Sequence, residues 1–282
     1  MSDAVTLTLR APLDRRLEVD GVTADRVARL TEREIATLPA WFGGRETQLG
    51  EFFDVRGGTL PRLRIEGALG HVSGLGAGMC AGELVIDGDA GDRVAARLTG
   101  GTVTVSGRVG DDAGMAMAGG TLHVHGGAGD RLASPEPGAS RGMTGGEIVI
   151  GGSAGQDAAA RVRRGLVVVA GDVLSGAARA MIAGTLVVLG EAGADTGRGS
   201  RRGSVVAARM TEVPATYRYA CTYAPGYIRL LMSYLRRRYG LRFDDALRDG
   251  RYERYCGDIG HPGKGEILIH ERSARRAQGR WP

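Results

Sequence analysis

The side chains of this sequence that could do chemistry are few: five histidines, three cysteines and a large excess of arginine. His123 and His125 stand two apart, so on a strand both imidazoles would point the same way, an arrangement that can hold a metal or supply a base. The positions expected above and below them are Thr102, Thr104, Ser106, Glu147 and Val149, which do not complete a ligand set. A solvated or interface pair is therefore the expectation, and His71, His261 and His270 stand alone. Cys80, Cys221 and Cys256 have no CxxC spacing, so neither a zinc knuckle nor a disulfide framework is expected, only reduced thiols. Gly-x-Ala-Gly-x-Asp segments at 152–157 and 190–195 are reminiscent of calcium-binding turns, but the related segment at 126–130 has its aspartate one place early. Corner aspartates that stabilise turns are the simpler reading. No GxSxG, HExxH or Walker spacing occurs, and Gly263-Lys264-Gly265 does not make one. No catalytic residue and no metal site are expected.

The basic residues are more informative. Net charge is +5 and the isoelectric point is near 9.4. Lys264 is the sole lysine. Arg161, Arg163 and Arg164, then Arg179, then Arg198, Arg201 and Arg202 recur at similar offsets in successive repeats. If the repeats stack, these side chains form a basic stripe with about 5 Å between layers. Like charges so close call for something acidic. No stripe of interleaved aromatic and basic residues is present, so nucleic acid is not expected.

The elements that must position these groups follow from the repeat. Glycine is abundant at 48 residues, and aromatics make up only 5%. Strand-like segments begin at Gly82, Gly101, Gly120, Gly146, Gly165, Gly184 and Gly203, in steps of 19 except for one of 26. The long step carries an insertion around Ser134-Pro135-Glu136-Pro137-Gly138. A fixed short period marks a solenoid, whose turns bury their apolar side only by stacking. The expected fold is an all-β core, a right-handed parallel β-helix of about seven turns. Left-handed hexapeptide solenoids use three six-residue sides, and a 19-residue period would flip their inward face at each turn. Leu84/Ile86, Val103/Val105, Leu122/Val124, Ile148/Ile150, Leu166/Val168 and Leu186/Val188 are the expected inward pairs. On the outer face, Val149, Val167, Val169, Val187 and Leu189 form an apolar strip that should be covered. Residues 1–60 are read as a non-repeating segment, 61–212 as the β-helix and 213–282 as a cap with a helix over 227–239. There is no signal-peptide pattern and no apolar run long enough to span a membrane, so a cytoplasmic location without membrane contact is expected.

Several segments carry a resemblance. The glycine-rich turns are similar to the β-helix at the C-terminal end of the glutamate synthase large subunit. The leader Leu38-Pro39…Gly43…Leu49-Gly50-Glu51-Phe52-Phe53-Asp54-Val55 and the closing Tyr255-Cys256-Gly257-Asp258…Gly263-Lys264-Gly265-Glu266-Ile267-Leu268 resemble the C-type subunit of formylmethanofuran dehydrogenase. This resemblance implies a structural, non-catalytic member of a one-carbon enzyme complex, with active sites on A-, B- and D-type partner subunits. The arginine-rich composition favours the formyltransferase/hydrolase version, in which a formyl group moves onto a methanofuran-type cofactor and is released as formate. The chain itself would hold no prosthetic group. Arg161, Arg163, Arg164, Arg179, Arg198, Arg201, Arg202 and Lys264 become candidate contacts for the glutamyl tail of that cofactor, since guanidinium grips carboxylate in bidentate fashion. The alternative is a stand-alone solenoid enzyme such as an acyltransferase.

Overall fold

A computed structural model describes residues 4–58 and 61–271; residues 272–282 of the expected cap lie outside the described residues. The leading segment contains β1 (Val5–Leu9), β2 (Leu17–Glu18), α1 (Ala24–Val27), α2 (Glu32–Ala36), β3 (Pro39–Phe42), β4 (Arg45–Gln48) and β5 (Phe53–Arg56). The repeats supply β6 (Arg62–Glu66), β7 (Val72–Ser73), β8 (Glu83–Asp87), β9 (Thr102–Val105), β10 (Thr121–Val124), β11 (Glu147–Ile150), β12 (Leu166–Val169), β13 (Thr185–Ala192) and β14 (Arg202–Met210). The closing segment adds β15 (Arg218–Tyr223), α3 (Gly226–Tyr239), α4 (Asp245–Asp249), β16 (Tyr252–Gly257) and β17 (Lys264–His270).

The core is all-β. A 13-stranded mixed sheet runs in the order β15-β16-β17-β14-β13-β12-β11-β10-β9-β8-β6-β1-β5. Its strands from β17 through to β1 are parallel, with β5, β16 and β15 antiparallel at the two ends. Both flanking segments therefore add strands to the sheet built by the repeats. β1 pairs with β6, and β17 pairs with β14. A four-stranded sheet, β4-β3-β2-β7, lies at the leading end.

Register follows the period. Leu63, Leu84, Val103, Leu122, Ile148, Val167, Leu186 and Val205 stack as one row, and all are buried. One expected pair is corrected: Ile148 and Ile150 sit beside Val167 and Val169, so Leu166 and Val168 face the other side. The segment Leu166-Val167-Val168-Val169 is apolar at every position, so its composition does not choose a face. The glycine before each strand keeps the register across rungs and makes the choice.

A second row of bridges joins Leu69, Ala90, Val109 and Ala128, and then Ala154, Val173 and Ala192. Beside it run ladders of side-chain caps. Asp92, Asp111 and Asp130 each accept the backbone N–H one rung on, from Asp111, Asp130 and Gln156. Glycine precedes these aspartates for a steric reason: a Cβ on Gly129 would lie 2.3 Å from Asp111 Oδ1. Asp92, Asp111 and Asp130 are thus rung-to-rung caps, whereas Asp157 and Asp195 pair with Arg179 and Arg198.

A third row is conformationally unusual. Arg93, Ala95 and Arg97, and likewise Asp157, Ala159 and Arg161, have positive φ at every second position. Each such residue costs about 1–2 kcal/mol of backbone strain. Their N–H groups bond alternately to the rung ahead and the rung behind, as in Arg93 to Asp111, Ala95 to Leu75 and Arg97 to Met115. The insertion leaves this row after Ser134, whose C=O still accepts from Ala116, and rejoins it at Gly142 and Met143.

The outer face of the later rungs is apolar and is covered by α3. Val149, Val168, Val187, Val206 and Leu268 form one cluster with Ile228, Met232, Leu235, Leu241 and Tyr252. The strip is covered as expected, but Val168 occupies the place given to Val167 and Val169, which face the core. Gly240, at φ 65°, closes the helix with an N–H bond to the Arg236 C=O. Glu147 clasps its C-terminal end by accepting from Tyr234 at 2.8 Å and from Tyr239. Val168→Asp should bury an unpaired charge and lower stability by about 3 kcal/mol or more, whereas Val85→Asp, in the same row but not among the residues that pack against α3, should cost about 1 kcal/mol or less. Chemical denaturation of the two variants checks this contrast.

Candidate functional site

The stacking sorts the eight expected basic residues into three groups. Arg179 and Arg198 are 19 apart and share a row, but each has its own carboxylate: Arg179 pairs with Asp157 at 2.7 Å and Arg198 with Asp195 at 3.1 Å. Arg161 lies one row over, in line with Ala180 and Gly199, all three at positive φ. Arg163 and Arg201 share the next row but one, with Ile182 between them. Two rungs separate these two guanidinium groups, about 10 Å. Arg202 and Lys264 start β14 and β17 directly beside one another, and Arg164 lies two residues before β12.

The second group lines a cleft of about 550 Å³, together with Arg141 and His261. Four guanidinium groups and an imidazole border it, and no carboxylate does. Arg161 donates to the Ala139 C=O at 3.3 Å, which ties the insertion to the cleft wall. A smaller hollow of about 310 Å³ adjoins at Arg161 and Ala180 and is bordered by Arg131, Arg179, the carboxylate of Asp157 and Ser134, whose buried hydroxyl has no hydrogen-bond partner among the described residues. The arrangement suits a multiply charged anion. Arg141 and His261 are invisible to the periodicity because neither belongs to the 19-residue repeat. Arg141 ends the insertion.

The closing loop fixes the end of the cleft. The Asp258 carboxylate accepts the N–H groups of Gly199 and Gly260, both at 2.9 Å. Burial alone would raise this carboxyl, but those two N–H bonds outweigh it and hold it below its ordinary value.

The histidine pair is elsewhere, on the outer face beside the end of α3. The rings of His123 and His125 are 4.5 Å apart, and Tyr239 meets His123 edge-on at 5.3 Å. Burial, then His125 and Arg238, push His123 below its ordinary value, so the ring packs in its neutral form. Among the described residues no group of three or more His, Cys, Asp or Glu could hold a metal ion.

Comparison with known proteins supplies the relationship. The chain matches a chain of the formyltransferase/hydrolase complex (FhcABCD) of Methylorubrum extorquens, solved in complex with methylofuran. Identity is 33%, the TM-score is 0.85, and the match covers 94% of this chain and 99% of the other. It is also 34% identical over 101 residues to the C-type subunit of molybdenum-containing formylmethanofuran dehydrogenase 1 of Methanosarcina barkeri. The chain belongs to the family of formylmethanofuran dehydrogenase C-type subunits. The second match spans about a third of the length of that curated relative, and of this chain. No family model matches the chain. Within this member of the family, the closing Gly257-Asp258…Gly263-Lys264 segment now has a physical role, since Asp258 holds the last rung of the third row.

Asp258→Asn should lower stability by about 1–2 kcal/mol at neutral pH. Because the folded-state pKa is depressed, the difference from wild type should be complete above the ordinary carboxylate range near pH 4. It should shrink as pH falls through the folded value, and urea titrations at neutral and acidic pH measure it.

Proposed function

We propose that this chain is the non-catalytic C-type subunit of a cytoplasmic formyltransferase/hydrolase complex in one-carbon metabolism. In this reading it is a right-handed parallel β-helix that scaffolds A-, B- and D-type subunits. The cleft of Arg141, Arg161, Arg163, Arg201 and His261 holds the glutamyl tail of a methanofuran-type cofactor while the reactive end visits active sites on other subunits. The observation that carries the proposal is this carboxylate-free basic cleft in a chain that aligns along nearly its whole length with part of a complex containing methylofuran. Three stacked rows per repeat, at constant register, support the solenoid geometry. Family membership also weighs against a stand-alone acyltransferase.

The narrowed cofactor contacts leave Arg179 and Arg198 with their carboxylates and assign the grip to arginines without them. The chain contributes position and charge, and it has no step of its own in formyl transfer or hydrolysis. Arg141→Gln, Arg163→Gln and Arg201→Gln together should leave assembly intact and weaken cofactor retention by about tenfold or more at low salt, with a shallower salt dependence than wild type. Cofactor retained at wild-type affinity by the assembled triple variant would sink the cleft assignment. The purified chain alone is expected to show no formyl-transfer or hydrolase turnover, and measurable activity would overturn the scaffold reading.

A further inference from the structure

The third basic group, outside the cleft, has a different environment. Arg164, Arg202 and Lys264 each stand immediately before a glycine, two residues ahead of Leu166, Ser204 and Glu266. In β14 and β17 alternation puts Arg202 and Lys264 on the same outer face as Ser204 and Glu266, while Arg164 lies just before β12, outside the strand. Leu166 packs there against α3, and Glu266 lies within reach of the Tyr227 hydroxyl. All three basic side chains are exposed, and none makes an ion pair among the described residues. Glu266, the nearest acid along the strand from Lys264, is already engaged: it accepts from Arg254 at 2.8 Å and from Ser204 at 2.6 Å. Arg202 and Lys264 are neighbours across β14 and β17, a like-charge pairing that destabilises a sheet unless it is neutralised.

Helix α3 runs beside this row. Tyr227 reaches Glu266 near its start and Tyr234 reaches Glu147 near its end, so the flank carrying both tyrosines faces the strand-start side. Leu230 lies three residues after Tyr227 and four before Tyr234, on the same flank. It is 73% exposed, and Tyr227 is 42% exposed. The result is a shallow surface with an apolar wall and a basic rim. None of these basic residues lines the cleft.

We propose that this surface docks an acidic segment of another protein subunit, its carboxylates along Arg164, Arg202 and Lys264 and an apolar side chain against Leu230 and Tyr227. This rests on the reading of the chain as part of a complex. The charge row calls for carboxylates, and the exposed leucine and tyrosine call for an apolar contact that a run of glutamates lacks. A protein segment supplies both.

The single lysine makes the proposal testable on the assembled, cofactor-loaded complex. A zero-length carbodiimide joins a carboxylate to an amine, and peptide mapping tells Lys264 from the α-amino group. We expect Lys264 linked to an aspartate or glutamate of another polypeptide, with the link lost in Lys264→Gln. We also expect Arg164→Glu with Arg202→Glu to weaken subunit retention about tenfold or more on gel filtration, while the thermal midpoint of the free chain stays near wild type. Lys264 linked to the cofactor's carboxylates, linked only within this chain, or left unlinked while other intersubunit links form would overturn the docking surface and leave the proposed function standing. A chain that purifies without any other subunit would overturn both. If the double variant does not fold, the Lys264 link in the wild-type complex decides alone.

Discussion

The structure depends on backbone hydrogen bonding between successive rungs at constant register. Each rung places its N–H and C=O groups where the next can use them, and one offset serves the strands of most rungs, broken at the insertion and at a bulge between β13 and β14. A residue's neighbours are therefore the residues one period before and after it. The aliphatic core, the aspartate caps and the left-handed row are three consequences of that single constraint. The caps show how tightly it binds: an aspartate on one rung requires a glycine on the next, because its carboxylate takes the space of a Cβ.

The same constraint decides where charge is neutralised. Arg131 lies against Asp112 and Asp111, and Arg179 against Asp157, so these pairs close within the chain. Arg163 and Arg201 have Ile182 between them, with no carboxylate bordering their cleft. Arg202 has Lys264. Among the eight expected basic residues, those without an ion pair among the described residues fall into two groups, one lining the cleft and one at the strand starts. A net-charge argument alone would have treated all eight residues as one stripe.

How much of this was legible in the sequence follows the repeat. Wherever apolar and polar residues alternate, as in Thr102-Val103-Thr104-Val105, the inward face could be read directly. It slipped by one residue at Leu166 to Val169, where alternation is absent and only the sheet register decides. The offsets of Arg161 and Arg179 differ by one, a minor irregularity in sequence. In the fold that residue separates an ion-paired row from an open cleft. Arg141 and His261 could not be reached by periodicity, since one ends an insertion and the other belongs to the closing loop. That α3 covers the outer strip was legible because an exposed apolar strip and an amphipathic helix each need a partner.

Strand β17 has a consequence for how the chain is made. It completes the row after β14, yet about sixty residues separate the two in sequence. On the ribosome, β14 therefore emerges with an open edge, and the apolar outer strip emerges before the helix that covers it. Rungs can add one after another as they leave the exit tunnel, but the last must wait until β17 has emerged. During that interval the unfinished end offers unpaired backbone groups and bare valine to any similar chain nearby. The closing segment thus acts late in synthesis as the chain's own protection against self-association, a duty that falls on α3 and β17, between Gly226 and His270.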